Sequence, residues 1–115
     1  MATPRMKTAS RQVQVILVTV ANQKEAVKIA NAMVSTNLAA CANIVPAMQS
    51  IYRWKGKIVK EREALIILKS TKAQYPALEQ AIKELHSYET PEIIALSVSA
   101  GLSRYLAWVA DTTHS

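Results

Sequence analysis

LAACANIVPAMQSIYRWKGKIVKEREALIIL, residues 38–68, reads as two long β-rich runs on either side of Trp54-Lys55-Gly56-Lys57. Gly56 accepts positive φ without a side-chain clash, so these four residues predict a turn, and the runs Leu38 to Tyr52 and Ile58 to Leu68 predict a hairpin. Pro46 cannot donate a ladder hydrogen bond and marks a bend, bulge or edge in the first run. A strand of about 14 residues at roughly 3.3 Å each spans about 45 Å. A globule of this chain length has a radius of gyration near about 13 Å, equivalent to a sphere about 35 Å across. The hairpin is therefore expected to overhang its own core. Its distal end carries Ile51, Tyr52, Trp54 and Ile58, and a lone two-stranded ribbon is marginal and exposes unpaired edges. Pairing with copies of the same chain removes both problems, and closed symmetry is the usual result. The alternative is a monomer whose twisted tip is kept apart by its lysines. Geometry alone does not choose between two subunits and three.

On the N-terminal side, Val13 to Val20 is β-rich and apolar at nearly every position from Val15, as expected of a central strand. Asn22 with Glu25 three residues later fits a helix cap, and Ala26, Ile29, Ala30 and Met33, with Val27 and Val34, follow helical spacing; the predicted helix covers about Gln23 to Thr36. On the C-terminal side, Pro76 suits a first helical turn, Tyr75, Leu78, Ile82 and Leu85 share a helical face, and the helix ends near Ser87. Pro91 favours extended geometry at Thr90, and Ile93, Ile94, Leu96 and Val98 predict a short strand before Gly101. A last helix follows, with Ser103 as cap and Tyr105, Leu106 and Val109 inward.

The order is β-α-β-β-α-β plus a terminal helix. It predicts an α+β fold, a ferredoxin-like βαββαβ sandwich with an extended hairpin between its second and third strands and both main helices on one face. One domain is expected over residues 12–113, behind a disordered tail at 1–11 that is polar, basic and aperiodic.

Composition narrows the function classes. The chain has 115 residues, 50% of them hydrophobic, enough for one sizeable core. A lone cysteine, Cys41, cannot form an internal disulfide, which favours a reducing, cytoplasmic setting. No signal-peptide core and no run of about 18 apolar residues occurs, so a membrane is not an expected partner. Glycine stands only at Gly56 and Gly101, leaving no Gly-rich loop for phosphate. The net charge of +6 raises the question of nucleic acid, but five of the fourteen basic residues, Arg53, Lys55, Lys57, Lys60 and Arg62, cluster on the hairpin and the rest are scattered. A solvated hairpin is the simpler reading, and no nucleic-acid partner is expected.

His86, Glu89 and Glu92 form the one local set of plausible metal ligands. An imidazole with two hard carboxylates suits Cu(II) or Zn(II) better than Cu(I). Three donors leave the site incomplete, to be finished by water or a neighbouring subunit. The competing role for His86 is a hydrogen bond near a helix C-terminus. Cys41, after two alanines, reads as a small buried filler; a nucleophile or soft ligand would need an electropositive setting. With His114 in the C-terminal tail, no acid, base and nucleophile converge, and no enzymatic turnover is expected. Tyr52, Trp54, Tyr88 and Trp108 are candidates for a cleft between subunits, where Arg53, Lys55, Lys57 and Lys60 could attract a small anion; ordinary packing between copies is the alternative.

Three separated blocks carry a family resemblance: Leu38 to Pro46 with Ser50 to Ile58; Leu68-Lys69-Ser70-Thr71 with Leu85 to Leu96; and Tyr105-Leu106-Ala107-Trp108. Together they resemble the CutA divalent-cation tolerance family over about residues 12 to 113. The resemblance implies a homotrimer whose long hairpins pair between subunits, and a link to tolerance of divalent cations, copper above all, without a tightly bound cofactor. It is not uniform. His86-Ser87-Tyr88-Glu89 stands where that family usually has His-Pro-Tyr-Glu, Pro46-Ala47 where Pro-Gly is common, and Val18 where some metal-binding relatives carry cysteine.

Overall fold

A computed structural model describes residues 11–114. All of the expected 1–11 tail except Arg11 lies outside the described residues, and Arg11 pairs with Asp111 at 2.6 Å. The elements are β1 (Val13–Val20), α1 (Gln23–Ser35), β2 (Cys41–Trp54), β3 (Lys57–Thr71), α2 (Tyr75–Leu85), β4 (Ile93–Ser97) and α3 (Ser103–Thr112).

The four strands form one sheet in the order β2-β3-β1-β4, and every neighbouring pair is antiparallel. Each crossover helix therefore returns the chain to a strand parallel to the one it left and two places away. The inner face is dry. Ile16, Val18 and Val20 of β1 and Ala64, Ile66 and Leu68 of β3 pack against Ala26, Ile29, Ala30 and Met33 of α1 and Leu78 and Ile82 of α2. Val27 and Val34, which share the helical spacing of α1, are exposed instead. α3 covers one end of the opposite face, where Val109 meets Val13 and Ala40. Leu106 packs there too, but Tyr105, expected inward, is exposed.

Beyond α3 the outer face is uncovered. Alternation and register put Val15, Leu17, Val45, Leu65, Ile67, Ile94 and Leu96 on it, and Ile94 and Leu96 remain 46% and 52% exposed.

The second strand starts at Cys41 and not at Leu38, because Leu38 and Ala39 still donate to Met33 O and close the end of α1 through Asn37 at φ 63. The hairpin turn has positive φ at both Lys55 (51) and Gly56 (78), the geometry of a two-residue type I′ turn. Pro46 does mark a bulge. Val45 faces Leu65 and Met48 faces Glu63, so Pro46 and Ala47 together oppose Ala64 alone. One extra residue reverses the alternation of β2. Before the bulge its odd-numbered residues face outward; after it Ser50, Tyr52 and Trp54 do.

β1 pairs with β3 only from Ala64 onward, leaving residues 57–63 with β2 as their sole strand neighbour. The hairpin overhangs as expected. The molecule measures 58 × 26 × 21 Å with a radius of gyration of 15.4 Å, against about 13 Å for a compact chain of this length.

Candidate functional site

The bulge and the overhang create a groove. Ser50, Tyr52, Val59, Glu61 and Glu63 project from the ribbon on the outer face, Thr19 closes the end of β1, and Tyr88, Glu89, Thr90 and Glu92 form the facing wall; the groove encloses about 870 Å³. Trp54 and Lys55 stand at its distal end. A smaller depression between α1 and β2, about 350 Å³, is lined by Val27, Val34, Cys41 and Ile44 and contains no carboxylate.

The facing wall is held by His86. Its side chain is fully buried, Nε2 lies 2.7 Å from Thr19 O, and Nδ1 lies 3.0 Å from Tyr88 N. A carbonyl oxygen only accepts and a backbone N–H only donates, so the network assigns the proton to Nε2, with Nδ1 as acceptor. Both nitrogens are used within the fold. Glu25 completes the latch by accepting from Ser87 N at 2.9 Å and Ser87 Oγ at 2.8 Å, with His86 Nδ1 3.5 Å away. Burial by itself would raise the Glu25 carboxyl pKa, but the two Ser87 hydrogen bonds, His86 and the Ala21 N–H outweigh it and hold it below the ordinary carboxylate value. Thr19 N donates to Glu92 O at 3.3 Å, tying the far end of the loop to the same strand terminus.

Thus fixed, Tyr88 reaches across and donates to Glu63 Oε2 at 2.6 Å. Glu63 is only 6% exposed. Burial, followed by the Glu63 carboxylate, pushes the Tyr88 hydroxyl pKa well above its usual value. Desolvation and the Glu61 and Glu63 carboxylates raise that of Tyr52.

Of the residues singled out in the sequence, Glu89 and Glu92 line the groove and His86 sits behind its wall. The three do not converge: among the described residues no group of three His, Cys, Asp or Glu side chains is placed to hold a metal ion. Tyr52, Trp54 and Tyr88 line the groove, whereas Trp108 lies on α3 against Tyr105, with ring centroids 5.7 Å apart. Of the basic cluster Arg53, Lys55, Lys57 and Lys60, only Lys55 is in the lining, facing Glu61, Glu63, Glu89 and Glu92. The lining is therefore acidic on balance. Cys41 is half-buried rather than buried, with its Sγ 3.6 Å from Tyr105 Oη.

Glu25, Glu63 and Thr19 were missed by sequence reasoning. Asn22 Oδ1 does accept from Glu25 N at 2.9 Å, but the Glu25 carboxylate, expected to serve its own helix cap, reaches Ser87 across the fold. An acid at 63 immediately before the apolar run Ala64 to Leu68 was the available signal for Glu63.

The comparisons agree with this architecture. Residues 14–112 match the family described as CutA1 divalent ion tolerance protein. The Divalent-cation tolerance protein CutA of Thermus thermophilus is 44% identical over 100 residues, covering 87% of this chain and 97% of the relative. The chloroplastic Protein CutA of Arabidopsis thaliana is 38% identical over 96% of this chain but only 62% of its own length. Among solved structures, CutA1 from Oryza sativa superposes with a TM-score of 0.88 at 36% identity, covering 93% of this chain and 98% of that one. The Archaeoglobus fulgidus protein, described as a periplasmic divalent cation tolerance protein, gives 0.84 at 33% identity, covering 87% and 97%. By sequence along nearly its whole described length and by fold, the chain belongs to the CutA1 divalent ion tolerance family.

Proposed function

We propose that the protein is a non-enzymatic divalent-cation tolerance protein, working as a homotrimer of ferredoxin-like protomers in a reducing cytoplasmic compartment. Glu89 and Glu92 at the groove bind an ion such as Cu(II), and a second copy supplies the remaining donors. The observation that carries this reading is the groove's lining of Glu61, Glu63, Glu89 and Glu92 against one lysine, since oxygen donors of that charge suit a divalent cation. In this scheme His86 holds the loop and does not coordinate, because coordination would cost it the bond to Thr19 O or the one from Tyr88 N. The uncovered outer face and the exposed Ile51, Trp54 and Ile58 of the ribbon support assembly of copies.

Calorimetric titration of Cu(II) into the native protein and Glu89→Gln/Glu92→Gln tests the site. Weaker binding in the double variant is expected, and identical heats and stoichiometries would remove these residues from the account. Light scattering at micromolar concentration tests the assembly; the mass of a single chain would refute it.

A further inference from the structure

The latch behind the groove is built on a buried histidine, the side-chain type whose charge ordinarily changes between about pH 5 and 8. His86 Nε2–H donates to Thr19 O at 2.7 Å, and Nδ1 accepts from the Tyr88 N–H at 3.0 Å. The two bonds respond differently to a proton. Nε2 carries its hydrogen in either charge state, so the bond to Thr19 O survives protonation. Nδ1 loses its free lone pair, and the Tyr88 N–H, which only donates, is left facing a second donor.

An acceptor for that proton is already in place. Glu25 Oε2 lies 3.5 Å from Nδ1. The Glu25 carboxylate accepts from Ser87 N and Ser87 Oγ, and about four lone-pair sites on its two oxygens leave room for a third donor. The remaining groups around the ring can be taken element by element. β1 presents the Thr19 carbonyl, and α2 presents its own C-terminus, since His86 N donates to Ile82 O; a helix C-terminus favours positive charge. Lys83, in the last turn of α2, is exposed. The Tyr88 ring lies 4.8 Å from the imidazole and carries Glu63 of β3 on its hydroxyl. Glu89 and Glu92 line the groove in front of the wall.

We propose that His86 is a proton-operated switch for the groove's wall. With the ring neutral, the Nδ1 lone pair holds the Tyr88 amide and fixes the wall. With the ring protonated, the imidazolium pivots on its Thr19 bond, Nδ1–H turns to Glu25, and the Tyr88 amide is released. Among the described hydrogen bonds, residues 88–92 then keep the Tyr88 hydroxyl on Glu63 and the bond from Thr19 N to Glu92 O at 3.3 Å. The wall is loosened while the core under it stays packed. Every group in the switch belongs to one chain and already lies within its fold, so the switch is present whether the groove is open or covered by a second copy. It does not rest on metal binding at Glu89 and Glu92.

The test is nuclear magnetic resonance of the full-length, metal-free, nitrogen-15-labelled protein at one concentration and fixed ionic strength, followed from about pH 8 to 5. The imidazole nitrogen shifts are expected to show Nε2 protonated throughout and Nδ1 gaining a proton. The Tyr88 amide, corrected for the intrinsic pH dependence of exchange, should exchange roughly tenfold faster or more once Nδ1 is protonated. Both changes should share one midpoint, while the amides of β1 and β3 keep their protection. His86→Gln, whose amide can donate to Thr19 O and accept from Tyr88 N, has no proton to gain and should lose the response. In Glu25→Gln the same acceleration should need a lower pH, which keeps the test decisive if His86→Gln fails to fold. The proposal is overturned by an Nδ1 that stays unprotonated through the range, by Nδ1 protonation with unchanged Tyr88 protection, or by an unaltered response in either variant. It is equally overturned if light scattering shows the assembly changing mass over the same range, because dissociation would then release Tyr88. None of these outcomes touches Cu(II) binding by the native protein at neutral pH, so the two readings fail separately.

Discussion

Replacing His86 by alanine separates a residue that holds the groove's wall from one that binds metal. The imidazole donates to Thr19 O at 2.7 Å and accepts from Tyr88 N at 3.0 Å. Thr19 is buried to 6% exposure, so its carbonyl would lose its donor with little access to water, a cost of about 1–3 kcal/mol. Tyr88 is half-buried, and water can replace most of what its N–H loses. The contacts of a fully buried ring add about 1 kcal/mol. The total is about 3 kcal/mol. With an m value of about 1–3 kcal/mol/M, the urea midpoint should fall by roughly 1–3 M. The assay is urea denaturation followed by circular dichroism at one fixed protein concentration, since dissociation contributes to the stability of an assembly. Cu(II) titration of the same variant, carried out under native conditions, should give a stoichiometry like that of the parent. A loss below about 1 kcal/mol together with abolished Cu(II) heat would refute the reasoning and return His86 to the role of ligand.

Two further outcomes follow from the latch and the bulge. Because the Glu25 carboxyl pKa is depressed in the folded protein, its contribution is present in full above the ordinary carboxylate value of about 4.3 and disappears as pH falls through the lower folded value. Acid denaturation should therefore show Glu25→Gln less stable than the parent at pH 7 but less steeply dependent on pH below about 4; parallel curves would refute the latch. Deleting Ala47 removes the extra residue of β2 and should turn Ser50, Tyr52 and Trp54 to the opposite face. Far-UV circular dichroism should stay close to that of the parent while Cu(II) binding is weakened; unchanged binding would show that the groove does not depend on the bulge.

Much of the fold was legible because its determinants are local. Alternation in Val13 to Val20, the helical spacing of Ala26, Ile29, Ala30 and Met33, and the Gly56 turn each act within a few residues, and each element formed where its pattern lies. Strand length times rise was enough to foresee the overhang. Pro46 announced a break in β2, but whether it would bend the strand or insert a residue depends on how β3 pairs across it.

The groove was only partly legible for the same reason. Glu89, Glu92, Tyr52, Trp54 and Tyr88 could be named as candidates from residue type, but their convergence requires the bulge to reverse a parity and the loop to fold back on β1. His86 shows the limit most clearly. An imidazole beside two carboxylates in sequence has the chemistry of a ligand set, yet the buried Thr19 carbonyl, 67 residues away, claims one nitrogen, and the Tyr88 N–H claims the other. Residue type and spacing set which elements form and which groups are available. Contacts between residues far apart in the chain decided which of those groups are consumed in holding the structure and which are left facing the groove, because a hydrogen-bonding atom satisfied inside the fold is no longer free to bind anything else.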